Sequence, residues 1–335
     1  MPESPAPVRL IDLGLAPFAR TQSAYHAVAE GLTQDSPDTV ILCRPASPYL
    51  CLGWHDVYDA VLDRAACANA GLPVLRRRLG GGTTYLDSDQ PFYQFVFHHS
   101  RVPAVSRALY ALLLAAPVRA LAELGVPATL RDANEIEAQG HRIAGIGGGR
   151  VGEAAVVVGN VLCAFDYGVL PRLWNAPWPA FRELATSALA ERLTTLRAQG
   201  CAASPADFSA ALTRVLPACL GRPVAPGVLT PVEEARAARL DSALAAPELL
   251  AAHAGPQPPA PMRRLKIAAG VYIHGETIEV ALPGAPPARL LVTLRERDGA
   301  IEAARVQGPP PLDARAIEAA LLGAPIASWR DRVTG

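Results

Sequence analysis

Apolar positions recur at helical spacing over residues 21–33, where Ala24, Tyr25, Val28 and Leu32 fall on one face. The period then shortens. Residues 39–43, 49–52, 73–76 and 92–97 are short runs rich in β-branched and aromatic side chains, cut by Pro, Gly and Asp, and they read as strands with turns. Helical spacing returns over 106–124, with Leu109, Leu112, Leu113, Val118 and Leu121 as its stripe. Residues 128–130, 135–138, 142–146 and 154–165 read as further strands, and 181–198, 205–216 and 231–250 as helices. The run Gly255-Pro-Gln-Pro-Pro-Ala-Pro261 can continue neither a helix nor a central strand and marks a linker. Beyond it, 265–273, 276–281, 289–294 and 301–306 form a strand series with turns expected at His274-Gly275 and Arg297-Asp-Gly299, closed by a short helix over 314–322. The pattern predicts an α+β chain with a large domain over 1–253, a Pro-rich linker over 254–262 and a second, smaller α+β domain over 263–335.

Composition narrows the functions available. The 335 residues carry 31 Lys+Arg and 31 Asp+Glu, so the formal net charge is zero and neither a nucleic acid nor an anionic membrane is an expected partner. All the fixed cations but Lys266 are arginines. Six cysteines without a CxxC spacing predict reduced core thiols rather than a zinc site or a disulfide framework. No apolar stretch approaches the roughly 20 residues of a membrane span, and the start Met1-Pro-Glu-Ser-Pro lacks the cationic and apolar regions of a secretory signal. A cytoplasmic location is the expectation. His98 and His99, adjacent on a strand, are expected to face opposite sides, which argues against a shared metal.

Two glycine-rich segments carry the chemistry. In Arg76-Arg-Arg-Leu-Gly-Gly-Gly-Thr-Thr-Tyr-Leu-Asp87, three glycines after a strand let backbone amides approach a ligand, and the preceding arginines can face a phosphate or carboxylate. Gly140-His-Arg-Ile-Ala-Gly-Ile-Gly-Gly-Gly149 repeats the logic further along. Together they resemble the catalytic domain of lipoate-protein ligases, octanoyltransferases and biotin-protein ligases. Arg76, Arg77, Gly80, Gly81, Gly82 and Asp87 stand in the positions of the family's Arg-Arg-x-Ser-Gly-Gly-Gly-Ala-Val-x-His-Asp signature, with Leu79 for its Ser and Leu86 for its His. Asn134-Glu135-Ile136 matches an Asn-Asp-Leu-like step. Gly140 to Gly145 matches Gly-x-Lys-x-x-Gly with Arg142 for the lysine, and Val158-Gly-Asn-Val-Leu162 loosely matches a His-Gly-Thr-Leu-Leu strand. The C-terminal piece looks like the accessory domain of two-domain lipoate ligases.

The resemblance implies a mixed sheet flanked by helices that binds lipoate or octanoate in an apolar tunnel. It implies activation with ATP and Mg²⁺ to an acyl-adenylate and transfer to a lysine of an apo lipoyl-domain or glycine-cleavage-H-like acceptor. By the same resemblance Arg142 takes the catalytic position, and Arg76, Arg77, Gly80, Gly81, Gly82 and Gly145 hold the phosphate and carboxylate. Asp87 and Asn134 serve the metal-nucleotide end, and Trp54 borders the acyl pocket. An ATP-independent octanoyltransferase would need a thiol, for which Cys163 is the candidate. The replacement of the lysine by Arg142 leaves a binding protein without turnover as the alternative.

Overall fold

The computed structural model describes residues 6–253, 260–282, 285–310 and 312–334. In chain order the elements are β1 (Val8–Ala16), α1 (Arg20–Glu30), β2 (Thr39–Pro45), β3 (Tyr49–Leu52), α2 (Tyr58–Val61), α3 (Arg64–Asn69), β4 (Val74–Arg76), β5 (Thr84–Leu86) and β6 (Phe92–His98). There follow α4 (Ser106–Glu123), β7 (Ala128–Arg131), β8 (Glu135–Ala138), β9 (His141–Arg142), β10 (Ala144–Val151) and β11 (Ala154–Val161). Next come α5 (Val169–Leu173), α6 (Pro179–Arg192), α7 (Pro205–Leu220), β12 (Val224–Gly227), α8 (Pro231–Ala243) and α9 (Pro247–Leu250). The chain ends with β13 (Arg264–Ala268), β14 (Val271–Leu282), β15 (Ala285–Arg297), β16 (Ala300–Gln307), α10 (Ala314–Leu321) and α11 (Asp331–Thr334).

Two compact units emerge, the first within Met1–Tyr58, Ala65–Asp166 and Thr194–Ala254, the second within Asp59–Arg64, Tyr167–Leu193 and Gly255–Gly335. The second unit thus takes in two segments ahead of the Pro-rich run, residues 254–259 of which lie outside the described residues.

The first unit is built on a six-stranded mixed sheet in the order β10-β11-β6-β2-β1-β12, in which β1 runs parallel to both β2 and β12 and the other pairs are antiparallel. Strand alternation sends Val40, Leu42, Tyr93, Phe95, Phe97 and Val157 into a core under α4 and α7, and Ile41, Val96, Val156 and Val158 toward α1 and Leu79. Every residue of β6 is buried. That explains why its sequence reads as one apolar run rather than an alternation. Both α7 and α8 begin with a reciprocal capping box, Ser204 with Asp207 and Thr230 with Glu233. Two small sheets, β4-β3-β5 and β7-β8-β9, carry the segments that border the site.

The second unit holds an antiparallel sheet β13-β14-β15-β16 whose core is closed by Leu321, Ala324 and Trp329. Turns fall at Gly270 (φ 70°) and at Asp298-Gly299 (φ 49° and 87°), the second as expected. His274-Gly275 is instead inside β14. Gly275 is there because Phe181 and Trp178 occupy the place of a Cβ, which would lie 3.0 and 3.2 Å from them. The helix expected over 231–250 breaks after Ala243, and the one over 181–198 ends at Arg192. Among the described residues no helix is long and apolar enough to cross a membrane.

Candidate active site

The two arginines at the end of β4 leave the strand on opposite sides, as consecutive residues do. Arg76 is completely buried and spends its whole guanidinium on carbonyls: Gly53, Trp54 and Asp56 at 2.9, 2.9 and 2.6 Å, and Leu249, Leu250 and Ala252 at 2.8, 3.0 and 3.3 Å. Its five N–H donors are thereby used. The expectation that Arg76 faces a phosphate gives way to an anchoring role. Arg77 turns the other way, to the carbonyls of Gly80 (2.9 Å), Gly82 (2.9 Å) and Cys51 (3.3 Å).

That inward pull shapes the glycine loop. With the Gly80 and Gly82 carbonyls committed to Arg77, the amides of Gly80, Gly81 and Gly82 donate to no protein acceptor among the described residues. Gly81 adopts φ 94°, and a Cβ there would crowd Arg77 Nη2 at 2.7 Å. The far end is stapled by Asp56, whose carboxylate accepts from the Gly53 amide at 3.1 Å and from Thr83 Oγ1 at 2.7 Å. A loop whose carbonyls are tied back and whose amides are uncommitted is built to receive an anion.

Beneath it lies an open cleft lined by Arg77, Gly81, Gly82, Arg142 and Gly145 among others. Leu86, Phe92, Ile146 and Val158 give it apolar wall. Arg142 enters from β9, its Nε donating to the Ala144 carbonyl at 3.0 Å and lying 4.0 Å from Glu135 Oε2. Its charge works against the upward push that burial gives the Tyr93 hydroxyl. β10 and β11 pair in register, Gly145 against Asn160 and Gly147 against Val158. Asn160 is held by donating to Gln90 Oε1 at 2.8 Å.

Several expected site residues lie off the lining. Asp87 accepts from the Asp89 amide at 3.0 Å, and burial raises its carboxyl. Asn134 is exposed and pairs with the Tyr110 hydroxyl. Trp54 packs edge-on against His253, with ring centres 5.4 Å apart. Cys163 is buried two residues past the end of β11, where desolvation first and Asp89 second push its thiol up to about 12, the reverse of an activated nucleophile. Residues missed from sequence are Gln22, Cys51, Gln94 and Asn160, which reach the cleft from four separate elements. Only Asn160 had a signal, its place in the 158–162 strand motif.

The His98 and His99 rings do not diverge as expected but stack 4.7 Å apart, because β6 stops at His98 and a 3-10 turn, His99–Arg101, begins. With Glu153 they place ligand-type atoms within 4.8 Å of one another. Arg150 Nη2 sits 3.5 Å from both Glu153 and His99, and His98 Nδ1 accepts the Ser100 amide at 3.3 Å. That bond leaves the neutral ring's proton on Nε2, the nitrogen nearer Glu153, so the cluster is an ion and hydrogen-bond network.

The lipoyl protein ligase A/B catalytic domain model matches residues 16–216, more than half of the 335 residues, and the chain belongs to that family. Its fold is similar to a bipartite lipoate protein ligase of Thermoplasma acidophilum, solved in a study of that ligase and its E2 lipoyl domain: TM-score 0.67, 20% identity, covering 75% of this chain and 99% of that one. It is similar also to a lipoate-protein ligase A bound with ATP, with a TM-score of 0.62, 21% identity and coverage of 73% and 99%. The LipL1 protein of Plasmodium falciparum in complex with lipoate gives 0.59, 11% identity and coverage of 96% and 90%. No curated protein matches the chain in sequence.

Proposed function

We propose that the protein activates lipoate or octanoate with ATP as an acyl-adenylate and transfers the acyl group to a lysine of a lipoyl-domain acceptor. One observation carries this reading: the uncommitted amides of the glycine loop and the guanidinium of Arg142 border the same cleft. The family assignment supports it. So do the relatives with ATP and with lipoate, and the one studied with its E2 lipoyl domain.

In the first step a carboxylate oxygen of the acid bonds to the α-phosphorus of ATP and the bond to pyrophosphate breaks. In the second, the acceptor lysine Nζ bonds to the acyl carbon, AMP leaves, and the amine gives up its proton to solvent. Negative charge concentrates first on the phosphate and then on the acyl oxygen, so each step is served by fixed donors already in place. The Gly81 and Gly82 amides and Arg142 supply them. Arg142 stays charged throughout and acts as a donor, never as a base. Arg77 is a positioning residue, since its bonds go to the loop. The apolar wall receives the chain, at about 0.8 kcal/mol per buried CH₂. ATP arrives with Mg²⁺ as substrate; no carboxylate lines the cleft among the described residues, and no step is routed through the ion.

The test is incubation of the purified protein with ATP, Mg²⁺, octanoate or lipoate and an apo lipoyl domain, read by intact mass of the acceptor. The expected result is an acyl adduct that Arg142→Lys retains and that Arg142→Ala forms about 10²–10³ times more slowly. Modification by Arg142→Lys alone would make the natural chain a binding protein, and no adduct from either would overturn the reading.

A further inference from the structure

Asn160 presents a fixed acceptor to the cleft. It is partly exposed, lines the cleft and faces Gly145 across the β10–β11 ladder. Its orientation is set from behind by Gln90, which is 1% exposed. Gln90 Nε2 donates to the Tyr85 carbonyl at 3.3 Å, and the same side chain hydrogen-bonds the Asp87 carboxylate, so both of its partners there are acceptors. Gln90 Oε1 is left to accept Asn160 Nδ2 at 2.8 Å. A flipped Asn160 would set oxygen against oxygen. Its Oδ1 therefore points away from Gln90 and over Gly145, whose missing Cβ would lie 2.6 Å from Oδ1 and 3.8 Å from Nδ2. Oδ1 accepts from no group among the described residues, and unlike the Gln94 oxygen it is not shut away from solvent. Asp87, which stands off the lining, thus acts on the cleft through two amides.

What this oxygen can receive follows from its chemistry. Carboxylate and phosphate oxygens are acceptors themselves and cannot meet it. The second step of the reaction, however, brings a donor to the acyl carbon, the Nζ of the acceptor lysine. Arg142 Nε donates to the carbonyl of Ala144, the residue before Gly145, so the guanidinium and Oδ1 flank the same stretch of β10. An acyl carbonyl held by Arg142 therefore has a fixed N–H acceptor beside it. An uncharged acceptor suits this work. A carboxylate in its place would favour the ammonium form, which has no lone pair to attack with, whereas an amide oxygen orients the amine and the neighbouring guanidinium disfavours its protonation.

We infer that Asn160 Oδ1 accepts an N–H of the acceptor lysine and aims its lone pair at the acyl carbon, with Gln90 as the positioning residue that holds the carboxamide. This rests on the acyl-adenylate reading of the same site. The experiment measures the two steps separately in the full chain: octanoate-dependent exchange of pyrophosphate into ATP, and single-turnover transfer from the isolated octanoyl-adenylate complex to an apo lipoyl domain, read by intact mass. In Asn160→Ala transfer should fall about 10²-fold, and at least tenfold further than exchange, with Asn160→Leu as a second replacement if the alanine variant unfolds. Gln90→Met should show the same selective loss of transfer at about tenfold. Equal losses in both steps, which contact between Asn160 and the hydroxyls or amino group of the nucleotide would give, overturn the inference and leave the acyl-adenylate reading standing. So does transfer at the wild-type rate in these variants. A wild type that exchanges no pyrophosphate overturns both.

Discussion

Residues 80–82 and 145–149 look like two copies of one motif, yet their glycines do different work. In the loop after β4, glycine supplies conformation: Gly81 takes φ 94°, and Gly80 and Gly82 turn their carbonyls onto Arg77. In β10, glycine supplies absence. A Cβ at Gly145 would lie 2.6 Å from Asn160 Oδ1, one at Gly148 2.5 Å from the Tyr110 hydroxyl and 2.9 Å from the Val156 carbonyl, and one at Gly149 3.2 Å from Leu79. The first segment is held from behind by Arg77, the second by a regular ladder to β11. A ligand loop and a close-packed strand can thus share a composition while depending on separate physical properties of the same residue.

Acid should separate the two segments most strongly. The amide of Arg78, just ahead of the loop, donates to His26 Nε2 at 3.2 Å. Burial first, then Arg78 and Arg77, hold that imidazole down at about 3 against an ordinary 6.5. The unfolded chain takes the proton near pH 6.5 and the folded chain does not, so the stabilisation is complete above 6.5 and falls as the pH drops toward 3. Against a His26→Gln variant, which stays neutral, the wild type should lose about 3 kcal/mol between pH 7 and pH 4 in urea titrations. An unchanged gap would detach the loop from His26.

A smaller effect tests the strand. Gly148→Ala should cost about 2 kcal/mol of unfolding free energy, and adding Tyr110→Phe should recover part of it by removing the atom in the way. If the hydroxyl makes no difference, missing volume is not what glycine provides there. The smallest effect belongs to Gly80→Ala, where a Cβ meets nothing within 4 Å and φ is ordinary. Its unfolding free energy should stay within about 0.5 kcal/mol of wild type in urea titrations.

Much of the first unit is legible in the sequence, because α1, α4 and β6 carry strong periodic or continuous apolar signals. The glycine loop is legible too, through its spacing. Which arginine serves it is not. Arg76 and Arg77 differ by one position on a strand end, and only the tertiary neighbours decide that the first meets six carbonyls and the second the loop. Gln22, Cys51 and Gln94 were invisible for a related reason. Each sits in a segment that reads as core, and it becomes a cleft residue only when three separate elements converge. The misplaced turn at His274-Gly275 shows the converse, a glycine taken for a bend that packing against Trp178 required inside a strand.

Arg76 also sets an order of events. Its carbonyl partners include residues 173 to 176 positions further along the chain, and β1 waits in the same way for β12. At roughly 5–20 residues per second, a ribosome needs about 10–35 s to deliver that stretch after Arg76 emerges. For that interval the emerging polypeptide carries a guanidinium destined for complete burial without three of its six acceptors. The unit therefore cannot close progressively from its N-terminus, and its nascent chain stays open to chaperones until the segment ending at Ala252 has left the exit tunnel.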